Sequence, residues 1–167
     1  NDPKDVNGNP LGGGNCSAEN MLVIAKRAKA LGIKLLLDFH YSDFWADPGK
    51  QDKPKAWANL SFDQLKQAVY QYTYDVIKMY KNQGALPNMV QVGNEVNGGM
   101  LWPDGKTWGE DAGGYNNFAE LLKAGIRGVK DAAGSDNQVK IMIHLANGGD
   151  NELYRRVFDN LTQRGVE

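Results

Sequence analysis

The residues of this chain best suited to chemistry lie in one run, Val90-Gln91-Val92-Gly93-Asn94-Glu95-Val96-Asn97-Gly98-Gly99-Met100, where an apolar stretch ends in a carboxylate beside an amide. Read as a strand, its side chains alternate, so that Gln91, Gly93 and Glu95 share one face and Val90, Val92 and Asn94 the other, until Asn97-Gly98-Gly99 ends it. A partly desolvated Glu at the C-terminal end of a parallel strand suits general acid and base work. An ordinary surface-loop Glu fits the same letters, because a short motif is a weak signal. His40 shares a strand face with Asp38, and His144 closes another apolar run. Beside Glu95, both could orient catalytic groups or donate to ligand hydroxyls; elsewhere they would be hydrogen-bonded packing residues.

Two long stretches, 41–59 and 97–116, follow these runs and are rich in Trp and Asp. Phe44-Trp45 and Trp57 in the first, and Trp102 and Trp108 in the second, could stack flat apolar faces on a pyranose ring. Asp43, Asp47, Gln51, Asn97 and Asp104 could hydrogen-bond its hydroxyls. Each Trp is equally at home as loop packing. No HExxH, paired-Cys or EF-hand spacing marks a metal site. Cys16 is alone, which excludes an internal disulfide, and with no base nearby in sequence it reads as a small packing residue.

The elements that position these groups alternate. After a Gly/Asn/Pro-rich opening through Gly12-Gly13-Gly14, Ser17 caps a helix to about Leu31, with Met21, Ile24, Ala28 and Leu31 as its apolar stripe and Gly32 as its stop. A strand over 34–40 is apolar on both faces, as in a buried parallel sheet. Ser61-Phe62-Asp63-Gln64 opens a second helix with a capping-box pattern, which stops near Gly84. A strand over 89–95, a helix over 117–130, a strand over 140–145 and a helix over 152–163 complete the series. Strand and helix in alternation demand a parallel sheet with right-handed crossovers. A complete flavodoxin-like doubly wound domain would explain the length, but Gly12-Gly13-Gly14 lacks the GxGxxG spacing and no strand precedes it. Loops of nearly twenty residues leaving one end of the sheet favour a barrel with its groove on that face.

At 167 residues and 41% hydrophobic content, the chain has the proportions of one globular domain, without an internal boundary. A net charge of −1 without a basic block favours neither nucleic acid nor an anionic membrane, and no apolar stretch reaches the roughly 18 residues of a membrane helix. It opens Asn1-Asp2-Pro3 without Met and closes Gly165-Val166-Glu167 where a βα unit would begin its next strand, so we expect an interior segment of a longer protein.

The run Leu37-Asp38-Phe39-His40-Tyr41-Ser42-Asp43-Phe44-Trp45-Ala46-Asp47-Pro48-Gly49-Lys50-Gln51, then Pro54 and Ala56-Trp57, joined to Val90-Gln91-Val92-Gly93-Asn94-Glu95, resembles glycoside hydrolase family 53, the endo-β-1,4-galactanases. The resemblance implies an α/β fold of the (β/α)8 TIM-barrel class, present as a partial barrel of about three βα units, strands three to five, with Asn1-Asp2-Pro3 after the second strand. It makes Glu95 the acid/base and Asn94 the ligand of the sugar 2-hydroxyl. His40 would line the cleft, with Asp43, Trp45 and Asp47 shaping the groove; Trp57, Trp102 and His144 join them as substrate-binding candidates from the reading of the residues themselves. The substrate would be galactan or type I arabinogalactan, cut by a retaining double displacement that needs a second carboxylate roughly 5–5.5 Å away. The family places that nucleophile on strand seven, which has no counterpart here, so these residues by themselves are expected to hydrolyse nothing. No cofactor is required for catalysis; bacterial members can carry a structural calcium whose ligands cannot be placed in this sequence. A polymeric substrate implies an extracellular enzyme. Other readings are a clan A hydrolase of another β-1,4-glycan and a non-catalytic carbohydrate-binding domain.

Overall fold

The computed structural model describes residues 16–134 and 139–167; the Gly-rich opening and the placement of Asn1-Asp2-Pro3 lie outside the described residues. Helix α1 (Ala18–Ala30) leads to strand β1 (Leu36–Phe39), a single 3-10 turn (Lys55–Trp57) and helix α2 (Phe62–Asn82). Strand β2 (Met89–Val92) is followed by the short strands β3 (Gly99–Met100) and β4 (Gly105–Lys106), then helix α3 (Gly114–Ala133), strand β5 (Lys140–Met142) and helix α4 (Asn151–Thr162).

Local chemistry sets most of these boundaries. The Ser17 hydroxyl accepts from the Asn20 N–H, and Gly32 takes φ +73° past the other end of α1. At α2, Ser61 and Gln64 form the reciprocal capping box. Asp150 caps α4 by accepting from Leu153 N–H at 2.9 Å.

Strands β1, β2 and β5 form one parallel sheet in chain order, with Leu36 opposite Met89 and Met89 opposite Lys140. The central strand buries Val90 and Val92 completely, and the core continues into Leu65, Val69, Phe118, Leu121 and Val129 of α2 and α3. Burying each such side chain contributes about 1.5–3 kcal/mol relative to exposing it. Glycines let α3 dock closely. A Cβ on Gly125 would lie 2.7 Å from Val92 Cγ1 and 2.9 Å from the Tyr41 hydroxyl, and one on Gly128 would lie 2.7 Å from the Tyr70 carbonyl oxygen. Tyr41, buried and at φ +50°, meets Thr73 Oγ1 at 2.7 Å. Since the Thr73 hydroxyl itself donates to the Val69 carbonyl, the Tyr41 O–H is the donor between them. Burial holds the Tyr41 hydroxyl well above the ordinary tyrosine pKa.

The structure departs from the sequence reading in three places. Each strand is shorter than its apolar run: β2 ends at Val92, because Gly93 turns to φ +82° and Glu95 to φ +50°, so the simple alternation that put Gln91, Gly93 and Glu95 on one face stops before Glu95. The stretch 97–116 contains the antiparallel β3–β4 hairpin, pairing Gly99 with Lys106 and Met100 with Gly105. Helix α1 turns a different stripe inward, burying Ala25 and packing Ala18 and Leu22 on the core, while Ile24 and Leu31 are 57% and 78% exposed. Tyr80, which donates its O–H to the Ala18 carbonyl at 3.0 Å, and Lys29, bonded to Asn88, fix that rotation.

Candidate functional site

The C-terminal ends of the three parallel strands carry a closed hydrogen-bonded circuit. The Ala46 N–H donates to His40 Nδ1 at 2.9 Å, which places the neutral imidazole's proton on Nε2, 3.2 Å from Asp38 Oδ2. The Gln91 amide donates to Asp38 Oδ1 at 2.6 Å and to Asn94 Oδ1 at 3.0 Å. Asn94 in turn donates from Nδ2 to the Ala46 carbonyl at 2.8 Å. With Asn94 Oδ1 thus fixed as an acceptor, His144 Nδ1, 3.0 Å away, must be the donor to it. Asp38 in β1 and His40 just past it, Gln91 in β2 and Asn94 past its end, and His144 from beyond β5 thereby hold one another in single amide and tautomer states.

Glu95 stands beside this circuit. It is half-buried, and its carboxylate has no hydrogen-bond or ion-pair partner among the described residues. Its backbone is fully engaged. Gln51, 2% exposed, donates one Nε2 hydrogen to the Asp47 carbonyl at 3.0 Å and shares the other between the adjacent carbonyls of Asn94 at 2.8 Å and Glu95 at 3.3 Å. On the other flank, Val96 N–H donates to the His144 carbonyl at 3.0 Å and Ala146 N–H to Asn97 Oδ1 at 2.8 Å.

The structure brings His40, Asn94, Glu95 and His144 together and distributes the other candidates around them. Trp45, 53% exposed, meets the His40 ring edge to face at 5.6 Å. Asp43 accepts from Lys55 N–H at 2.8 Å and Asp47 from Gly49 N–H at 2.8 Å, so each spends one carboxylate oxygen on shaping its loop. Gln51 and Asn97, read as hydroxyl ligands, are committed to backbone partners instead. Asp104 is paired with Lys53 at 2.7 Å. Trp57 joins Tyr41 and Tyr72 in an aromatic cluster against the core. Trp102 donates to the Gly98 carbonyl at 3.1 Å and meets Trp108 edge to face at 5.8 Å, with Lys106 Nζ 3.6 Å above the Trp108 ring. Sequence reasoning missed the anchoring parts of Gln91 and of the Ala46 backbone, whose partners lie far away in sequence.

This arrangement offers a half-buried carboxyl just past a strand end, a locked amide next to it, and an exposed indole at the rim. Among the described residues no group of three or more His, Cys, Asp and Glu side chains is placed to hold a metal ion.

Parallel strands in chain order, each leading into a helix and bearing their polar residues at the C-terminal ends, define part of a (β/α)8 barrel rather than a doubly wound sheet. The family model for glycosyl hydrolase family 53 matches residues 1–167, and the chain belongs to that family. It is 39% identical over 167 residues to an endo-beta-1,4-galactanase of Bacillus subtilis, covering all of this chain and 36% of that protein. It is 40% identical over 153 residues to an arabinogalactan endo-beta-1,4-galactanase of Thermothelomyces thermophilus, covering 92% of this chain and 44% of that protein. The solved Ignisphaera aggregans GH53 catalytic domain superposes with a TM-score of 0.89 at 50% identity, over 100% of this chain and 44% of that structure. The chain therefore spans less than half the length of these relatives.

Proposed function

We propose that these residues supply strands three to five of the single catalytic domain of an endo-β-1,4-galactanase, acting on galactan or type I arabinogalactan by a retaining double displacement. Glu95 is the acid/base: it protonates the departing glycosidic oxygen and then takes a proton from the attacking water. The observation that carries this reading is that, among the described residues, the Glu95 carboxylate has no partner just past a strand end where its neighbours Gln91, Asn94 and His144 are all bonded. Asn94, with one N–H spent on Ala46, keeps the other for the sugar 2-hydroxyl. His40, His144 and Trp45 line the cleft, Trp102 extends it, and Asp43 and Asp47 shape its wall. The nucleophile belongs to the family's seventh strand. The named galactanase relatives support the substrate class. A polymer of that kind is met outside the cell, and no helix among the described residues is long and apolar enough to cross a membrane.

The test is Glu95→Gln in the full-length protein. Turnover on galactan should fall by about 10²–10⁴-fold with KM nearly unchanged, because the amide keeps the shape but cannot donate and retrieve the proton. Trp45→Ala should mainly raise KM. Retention of turnover within tenfold by Glu95→Gln would remove Glu95 from the chemistry, and faster cleavage of a β-1,4-glucan or mannan than of galactan would replace the substrate.

A further inference from the structure

We propose that Gln51 is the positioning residue of Glu95, an inference that rests on the acid/base reading above. The direction in which a side chain leaves its Cα is set by the two peptide planes on either side of it. At Glu95 these planes carry the Asn94 and Glu95 carbonyls, and the same Gln51 amide holds both, at 2.8 Å and 3.3 Å. The conformation it holds is one that a non-glycine residue adopts reluctantly, with φ at +50°. Such a backbone persists where its surroundings over-determine it. Here they do so from both flanks, through Gln51 on one and the bonds of Val96 and Asn97 to residues 144–146 on the other. If the Gln51 grip is removed, only the Val96 and Asn97 flank still opposes relaxation of φ toward negative values, and the Glu95 carboxyl drifts from the bond it must protonate.

The placement of Gln51 fits this part and no other. Its side chain is 2% exposed and so cannot reach a ligand, which makes it a positioning residue rather than a catalytic one. Its own carbonyl accepts from Trp102 N–H at 2.8 Å, and its amide also holds the Asp47 carbonyl, so one residue ties the acid to both long loops. Among the described residues nothing holds the carboxylate, which is the condition for a group that must gain and lose a proton in each cycle.

The experiment compares two substrates in the full-length protein. Galactan has a poor leaving group that needs protonation, whereas a 2,4-dinitrophenyl β-1,4-galactobioside leaves without it. The kcat/KM on either reports the step in which the glycosidic bond breaks. For Gln51→Met, which keeps the volume and removes the donor, kcat/KM on galactan should fall about a hundredfold, the cost of roughly 1 Å of misplacement, while that on the aryl substrate stays within about threefold. If Gln51→Met does not fold, as judged by loss of a cooperative unfolding transition, Gln51→Asn, which shortens the arm by one methylene, is scored by the same ratio. Equal losses on both substrates, or no loss on galactan, would overturn the proposal. Glu95→Gln measured in parallel separates the two claims: if it shows no preferential loss on galactan, the acid/base reading has failed, and if it does while the Gln51 variants do not, only the positioning claim has.

Discussion

The two long loops over the mouth of the sheet are of similar length and touch each other, yet what chiefly holds each is different. The one between β1 and α2 is shaped by side chains bonded to backbone: His40 to Ala46, Asp43 to Lys55, Asp47 to Gly49 and Gln51 to three carbonyls. The one between β2 and α3 is shaped by backbone against backbone, with a two-stranded hairpin and glycines where a Cβ has no room. A Cβ on Gly99 would collide with the Gly105 carbonyl, one on Gly105 with the Met100 carbonyl, and one on Gly113 with the Asp104 carbonyl. A loop of the first kind is a sum of separable contacts of about 1 kcal/mol each, and one of the second kind is a steric fit that fails as a unit.

That contrast is sharpest at Gly99, where the space is missing and φ is +90°. Gly99→Ala should destabilise the full-length protein by about 3 kcal/mol or more in denaturant unfolding, and a cost below about 1 kcal/mol would show that the hairpin can repack. Next in size is the Lys53–Asp104 pair, 2.7 Å long with side chains only 14% and 21% exposed, which bridges the loops. Lys53→Met should cost about 1–3 kcal/mol, between the values for surface and buried pairs, and a cycle with Asp104→Asn should recover part of it.

Tyr41, where the first loop begins, joins the comparison through pH. Tyr41→Phe should cost about 1 kcal/mol at neutral pH for the bond to Thr73. The folded state holds the Tyr41 proton more tightly than the unfolded chain, so its contribution is fully present below about pH 10 and declines as pH rises above that. The variant should therefore lose stability less steeply in alkali than the parent. Some slope should remain, because Tyr80 is also pushed up to about 12 by burial. The smallest effect belongs to Asp47→Ala, which removes one exposed turn bond and should cost about 0.5 kcal/mol. If Asp47→Ala proved as damaging as Gly99→Ala, the division between the loops would be wrong.

What the sequence showed and hid follows the same division. Helices were legible because caps and the 3.6-residue period are local: Ser61 and Gln64 announce α2, and its end near Gly84 falls within two residues of Asn82. Strand ends were overextended because the apolar run continues past the last ladder pair, while Gly93 and Glu95 turn the chain in ways that residue type alone does not reveal. The β3–β4 hairpin left no trace, since two-residue strands containing Gly99 and Gly105 show no alternation. At the mouth, the residues proposed to carry chemistry, Asn94 and Glu95 among them, were visible by type and by the resemblance of their run to a known family. Those that hold them were not: Gln51 reaches 43 and 44 positions along the chain to its carbonyls, and nothing periodic marks such a contact.

Gly125 gives the mouth a dependence on the helix behind the sheet. It lies on α3, where its missing side chain lets Val92 and the Tyr41 hydroxyl sit directly against the helix. Val92 is the last residue of β2 before the turn to Glu95, and Tyr41 follows His40. Helix and sheet are thus in gauge at one point, and any atom added there is a spacer that lifts two strand ends at once. A saturation scan scored by activity should therefore show an intolerant position in the helical layer, buried against the sheet, whose replacements shift the alignment of Glu95 before they lower the yield of folded protein.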